Sequence, residues 1–274
     1  MKKNNRPLLA AALLMGLFSL LGAVTAHAQE ENPLVATTGP NVLGQGHIQW
    51  NSNLEYLHYE INFSHDPTIR VDRFGLGNGL RFGIGNRAEL TVDLDCEYGM
   101  NNSNRYRNGF GLTPSVGAKL LLSDGHGWFP QTAFFTHIAA PIPLYNNAPW
   151  YTYVRPEIGF QFRNRLGQRW LLDYSLGFSW DGFSGDPLAT SFDFLSDYVR
   201  YSLFARWLAT DRLLLGVGVG NTNLVYQRSA DFELRYQANP NLQLTVQASS
   251  KLGMSDVGTS NQVHALAGIS WTIR

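Results

Sequence analysis

The last stretch of the chain alternates apolar and polar positions with a period of two. Val263, Ala265, Ala267, Ile269, Trp271 and Ile273 are apolar; Gln262, His264, Gly268, Ser270, Thr272 and Arg274 stand between them, with Leu266 the one exception. A period of two marks a β-strand with one apolar and one wet face. The same pattern sets Ala88, Leu90, Val92, Leu94, Cys96 and Tyr98 against Glu89, Thr91, Asp93, Asp95 and Glu97. It also sets Trp170, Leu172, Tyr174, Leu176, Phe178 and Trp180 against Arg169, Asp173, Ser175, Gly177 and Ser179.

From Gly46 onward the alternation predicts about twelve strands, over 46–60, 69–84, 87–99, 109–122, 128–140, 150–164, 168–181, 196–209, 212–222, 229–238, 241–252 and 261–273. Each is close to or longer than the roughly 9–11 residues with which a tilted strand crosses a bilayer. The fifth, around Phe134-Phe135, alternates least cleanly.

Connections alternate in length. Short ones at Gly85-Asn86, Ser123-Asp124-Gly125-His126-Gly127, Arg165-Leu166-Gly167, Thr210-Asp211 and Asn239-Pro240 are rich in turn formers. Longer ones fall at 61–68, 100–108, 141–149, 182–195, 223–228 and 253–260. Short periplasmic turns and long outer loops are the rhythm of an outer-membrane barrel with both ends in the periplasm.

The N-terminus carries Lys2, Lys3 and Arg6, an apolar run from Leu8 to Val24, and the small-x-small site Ala26-His27-Ala28. That layout predicts a cleavable secretory signal peptide over residues 1–28. A soluble periplasmic β-protein could also alternate. The leader, the strand lengths, the aromatic strand ends at Trp170 and Trp180 and the loop rhythm favour the membrane. The expected fold class is all-β: a transmembrane antiparallel up-and-down β-barrel of about twelve strands over 46–274, in the outer membrane of a Gram-negative-type envelope. Residues 29–45 are expected as a periplasmic N-terminal segment; hanging free and folding into the barrel mouth both stay open.

Charge narrows the function. The chain has 21 Lys and Arg against 21 Asp and Glu, with no basic stripe, which argues against a nucleic-acid partner. One cysteine, Cys96, excludes an internal disulfide. No Cys/His cluster has zinc spacing and no glycine-rich phosphate loop joins a strand to a helix, so neither metal nor cofactor is expected.

Several segments resemble one family. These are Gly46-His47-Ile48-Gln49 with Leu54-Glu55-Tyr56, the hairpin from Leu80-Arg81-Phe82-Gly83 through Arg87-Ala88-Glu89-Leu90, Val116-Gly117-Ala118-Lys119, and Asn239-Pro240-Asn241-Leu242-Gln243-Leu244. Together they are similar to the outer-membrane transporter family associated with the meta-pathway of phenol degradation. The resemblance implies a porin-like barrel that moves small molecules, possessing no catalytic residues to transfer.

With apolar faces toward lipid, the polar faces line a lumen. Its acidic side would hold Glu55, Glu89, Asp93, Asp95, Glu97, Glu157, Asp173 and Glu233. Its basic side would hold Arg73, Arg81, Lys119, Arg155, Arg163, Arg200, Arg206, Arg235 and Lys251. The two sets nearly balance, so cross-strand ion pairing and a charge-lined path are both expected. Arg81, Glu89, Asp93, Asp95, Arg155, Glu157, Arg163, Arg206 and Arg235 are the lumen and selectivity candidates. The ladder Glu89, Asp93, Asp95 and Glu97 is expected to pair with Arg and Lys on neighbouring strands. Glycines 75, 77, 79, 83, 216, 218 and 220 also face inward; they either open space or permit bending, and bending is the simpler expectation. Asn101-Asn102-Ser103-Asn104 and the loop from Asp181 to Phe194 are candidate outer constrictions.

A catalytic reading finds little support. Gly177-Phe178-Ser179-Trp180-Asp181 lacks the final glycine of a nucleophile elbow and falls in a strand. His264 reads as a lumen residue rather than a general base. The expected function is therefore a non-enzymatic channel for passive passage of small solutes, including small organic or aromatic compounds. A closed barrel with a structural or surface-binding role through its outer loops is the alternative, and an outer-membrane hydrolase a distant third. The expected partners are outer-membrane lipid, the barrel-insertion machinery and small solutes.

Overall fold

The computed structural model describes residues 34, 39–61, 69–101, 108–126, 128–145, 154–179, 199–221, 228–252 and 259–273. The expected signal peptide and both candidate outer constrictions lie outside these residues, apart from Asn101. The described strands are β1 (Ile48–Ile61), β2 (Ile69–Gly85), β3 (Ala88–Asn101), β4 (Gly109–Ser123), β5 (Gln131–Ala139), β6 (Ile142–Tyr145) and β7 (Arg155–Leu166). They continue as β8 (Trp170–Ser179), β9 (Val199–Thr210), β10 (Leu213–Gly220), β11 (Ser229–Asn239), β12 (Leu242–Lys251) and β13 (Thr259–Ile273).

Neighbours in sequence pair antiparallel around the sheet, and β1 pairs with β13, which closes the barrel. β5 and β6 are two pieces of one barrel strand, since both bond to β4. The chain breaks between them at Ala140-Pro141, with Pro143 just beyond. Proline lacks the N–H that a ladder needs, which explains the break just past the expected span 128–140; β6 corrects the expectation of a loop over 141–149, since there the chain rejoins the wall. The Ala140 amide still reaches Pro114 O at 2.9 Å, so the wall stays joined to β4 across the break. Thirteen segments thus make a closed twelve-stranded antiparallel barrel.

Tight turns gather at one end, and by the asymmetry of such barrels that end is periplasmic. Outside, the faces are apolar and exposed, as at Leu54, Leu76, Val92, Val116, Leu176, Val217 and Val246. Trp50 lies opposite Trp271 and Trp170 opposite Trp207, all at the tight-turn end, where indole rings suit the membrane–water boundary. The Trp170 and Trp207 rings stack with centroids 6.0 Å apart. Inside, the wall is polar: Gln49, Glu89, Arg163 and Glu233 are each at most 2% exposed. A one-residue slip of any strand would turn these charges to lipid, so the two-faced pattern pins the register. The chain is an outer-membrane barrel protein surrounded by membrane lipid.

Candidate functional site: the lumen and its periplasmic mouth

The inner wall near the tight turns carries a chain of ion pairs. Arg163 and Asp173 face each other across β7 and β8 and form a fork, Nε to Oδ1 at 2.7 Å and Nη2 to Oδ2 at 2.6 Å. Arg206 on β9 donates to the same Asp173 through Nη1, and through Nε to Glu233 Oε2 at 2.6 Å. Glu233 lies on β11, so that contact spans β10. The span is possible because the intervening residue is Gly216, whose Cβ would stand 3.2 Å from Glu233 Oε2 and 3.3 Å from Arg206 Cγ. Arg235 donates to Glu233 Oε1, as does Gln247 at 3.1 Å. On β2 to β4, Arg81 forks onto Glu89 at 2.9 and 2.7 Å and donates to Gln49 at 2.7 Å; Lys119 stands 3.5 Å from Glu89. Charged hydrogen bonds of this kind are strong only where both partners are held in place, as the rigid wall does here.

The N-terminal segment folds into this end of the barrel. Lys119 Nζ donates to the carbonyls of Gly39 and Asn41 at 3.1 and 3.3 Å. The Leu43 amide donates to Glu89 Oε2 at 2.9 Å, and Gln131 Nε2 to Asn41 Oδ1 at 2.6 Å. Leu34 is fully buried among Leu171, Leu208 and Leu214, the apolar inner-face residues of the mouth. Gly39 has a φ of +58°, and a Cβ there would meet Arg163 Nη2 and Asp173 Oδ2 at 2.9 Å. The segment therefore straps across both ion-pair clusters. Close approach of backbone to backbone also demands Gly83: its amide donates to His47 O and its carbonyl accepts from Gly46 N, both at 3.0 Å. A Cβ on Gly83 would lie 1.9 Å from Gly44 O. Gly83→Ala is expected to lift the strap off β2 and raise ion conductance above that of the unaltered chain; unchanged single-channel currents would show that the strap does not narrow the path.

Farther from the tight turns the wall turns acidic. Glu97 pairs with Arg73, as the ladder expectation required. Asp93 and Asp95 differ from that expectation: neither makes an ion pair among the described residues. Asp93 accepts a long hydrogen bond from Ser115 Oγ at 3.5 Å and feels the charges of His137 and Arg81 without an ion pair, while the charged groups around Asp95 are Glu55, Asp93 and Glu97, all acidic. The reason lies in register. The residues opposite Asp95 and Asp93 are Gly77 and Gly79 on β2, with Asn53 and Asn51 beyond them on β1, and Thr113 and Ser115 on β4, so the flanking strands bring no basic side chain level with them. A Cβ at Gly79 would stand 2.0 Å from Asp93 Oδ1, and one at Gly77 would stand 2.3 Å from Asn53 Oδ1 and 2.8 Å from Asp95 Oδ1. These inner-face glycines make room for neighbouring carboxylates and amides.

Among the nine lumen candidates, the structure joins Arg163, Arg206 and Arg235 in one network and Arg81 with Glu89 in another, and sets Asp93 and Asp95 in the acidic tier. Arg155 and Glu157 stand apart at the outer end of β7, opposite Ala139 and His137. Sequence reasoning missed Gly39, Asn41, Leu43 and Gln131 as partners of the wall. The only clue was the unusual density of turn formers in Gly39-Pro40-Asn41 and Gly44-Gln45-Gly46. Gly177 and Ser179 lie within β8, and His264 Nε2 stands 3.7 Å from Glu55 Oε1 on the inner wall. Among the described residues no group of His, Cys, Asp or Glu is arranged to hold a metal ion.

Comparison with known proteins places this geometry. The family model described as "Putative MetA-pathway of phenol degradation" matches residues 32–265. No curated protein matches the sequence. An outer membrane channel from Pseudomonas putida F1 is similar in structure with a TM-score of 0.57 at 12% identity, covering 85% of this chain and 97% of that one. The toluene transporter TbuX of Ralstonia pickettii is similar with a TM-score of 0.51 at 8% identity, covering 85% and 90%. At such identities the likeness is one of fold.

Proposed function

The chain belongs to the family of the MetA-pathway of phenol degradation, and on that premise we propose that it is a passive outer-membrane channel for small solutes, narrowed at its periplasmic mouth by its own N-terminal segment. The observation that carries this reading is that inward carboxylates stand open to water inside a closed barrel. Asp95 is exposed, and the Glu55 side chain is 46% exposed. Water-lined charge is what a conducting lumen needs, whereas a filled barrel would bury or pair such groups. Small organic compounds, aromatic ones included, are the solute class that the family description and the named toluene transporter suggest. The reading assigns the chain no covalent chemistry.

Roles divide by height. Arg81, Glu89, Arg163, Arg206 and Arg235 build the rigid mouth on which the strap rests. Asp93 and Asp95 set ion preference above it, and Arg155 and Glu157 stand at the outer entrance. The barrel-insertion machinery would place the chain in the membrane after export by the signal peptide.

Planar-bilayer recording of the refolded mature chain across a salt gradient tests this. The expected result is small, discrete conductance steps with a cation preference, and a reversal potential that moves toward zero in Asp93→Asn/Asp95→Asn. Silence from a barrel shown to be folded and inserted would overturn the channel reading. It would favour a closed barrel acting through its outer loops, the reading to which the strapped mouth also lends support.

A further inference from the structure

The lipid-facing wall carries a polar spot far from either membrane edge. On β2 the outward positions read Phe82, Leu80, Asn78, Leu76 and Phe74, so an amide stands at the middle of an apolar column. On β1 they read Ile48, Trp50, Ser52, Leu54 and Tyr56, again with the polar residue third, and register sets Ser52 directly opposite Asn78. About 13 Å of strand separates Asn78 from the phenyl ring at each end of its column. Neither the Ser52 nor the Asn78 side chain makes a hydrogen bond to another described residue. Acyl chains offer none either, so a lone amide at this depth is costly. Asn164, also lipid-facing, differs: it lies near the end of β7 and donates to Trp128 O at 3.2 Å.

The face around this spot is self-complementary about a two-fold axis. An axis along the membrane normal, between β1 and β2, sets β1 of one copy against β2 of the other, twice over. Each pair that register makes within one chain is then repeated between chains. Ser52 meets Asn78, and Tyr56 meets Phe74, rings that already lie 5.1 Å apart within one chain. At the outer end His58 meets Asp72 and Glu60 meets Arg70, pairs joined within the chain at 2.8 and 3.1 Å, so no like charges are opposed. Farther from the axis β13 meets β3. Ala265 and Ala267 on β13 are small enough for the exposed Val92 and Leu94 of β3 to approach closely.

We propose that two copies of this chain associate through the β1–β2 face, with Ser52 and Asn78 hydrogen-bonded across the two-fold axis. An asparagine amide both donates and accepts, and a serine hydroxyl does the same, so each satisfies the other without any further group. Lipid tails compete with apolar side chains for the wall but not for these two polar ones, which gives the contact its position and its register. An unrelated membrane protein would need its own polar group at the same depth, whereas a second copy supplies one by symmetry. Association on this face does not depend on whether the lumen conducts.

Sedimentation equilibrium of the full mature chain in density-matched detergent micelles reads the association constant, and photobleaching steps of the labelled chain in lipid bilayers read the number of copies. Dimers are expected. Asn78→Leu should weaken association about tenfold, the loss of two weak hydrogen bonds that lipid does not replace. Ser52→Ala should weaken it as well, while Leu176→Ala, on the opposite wall, should leave it unchanged. All three changes face lipid, and each variant is first shown to be a folded barrel. In a Cys96→Ala background a short bis-maleimide should link Leu76→Cys into dimers and leave Leu176→Cys unlinked. A chain that stays monomeric at every concentration overturns the proposal. So does a dimer that Asn78→Leu and Ser52→Ala leave unchanged, since another face then joins the copies. Linkage of Leu76→Cys only to a different membrane protein also overturns it and gives the face to that partner.

Discussion

Removal of residues 29–45 is expected to raise the single-channel conductance of the refolded chain several-fold. The segment's described residues, 34 and 39–45, occupy the mouth through bonds to both sides of the wall: Lys119 to Gly39 and Asn41, Glu89 to Leu43, and Gln131 to Asn41. Its apolar hold is Leu34, seated on Leu171, Leu208 and Leu214. Deletion should leave the barrel standing. Glu89 would keep Arg81 and Lys119 as partners, and the Arg163–Asp173 fork needs nothing from the segment. The deletion should also expose three leucines to the lumen, so the widened mouth should bind apolar dyes that the intact chain does not. Conductance equal to that of the intact chain, with the truncated barrel verified as inserted, would move the constriction away from the mouth and into the outer half.

Glu233→Ala is expected to be the most destabilising single substitution in the wall. Glu233 is fully buried and accepts from Arg206, Arg235 and Gln247. Its removal takes a carboxylate from both Arg206 and Arg235 and leaves Asp173 to serve Arg163 and Arg206. Deleting one partner of a buried pair costs about 3–5 kcal/mol, because the remaining charge cannot return to water. Urea unfolding of the lipid-reconstituted barrel, followed by tryptophan fluorescence, should show the unfolding free energy fall by that amount. The exposed pair Arg70–Glu60 provides the contrast. Arg70→Ala should cost less than about 1 kcal/mol, since solvent screens such pairs and side-chain entropy offsets them. Comparable losses for the two variants would mean that the inner network adds no more than surface charge does.

Strand placement was legible because a barrel in lipid obeys two local constraints at once. Each strand must show lipid an unbroken apolar face, and each turn must contain residues that can reverse the chain. The predicted spans for β3 and β4, 87–99 and 109–122, accordingly lie within two residues of the observed Ala88–Asn101 and Gly109–Ser123. The poorly patterned strand around Phe134-Phe135 ends where expected, but beyond Pro141 the wall continues as β6 in a stretch expected as a loop. The inward direction of all nine lumen candidates followed from the same alternation.

Partner choice was not legible, because it depends on distance across strands rather than along them. That Arg206 reaches Glu233 over Gly216 requires knowing which glycine lies between two charged strands. That Asp93 and Asp95 make no ion pair among the described residues depends on Gly79 and Gly77 standing opposite them, with Ser115 and Thr113 on the other side, a matter of register. The alternation of side chains along each strand, a property of local backbone geometry, together with strand length and loop rhythm, was enough to point to an outer-membrane barrel with a charged interior. The strapped mouth, the paired lower tier and the open acidic tier arise from closure, which brings residues 39–43 against strands far along the chain. Contacts of that range have no signature in periodicity, since the geometry that creates them exists only once the last strand has paired with the first.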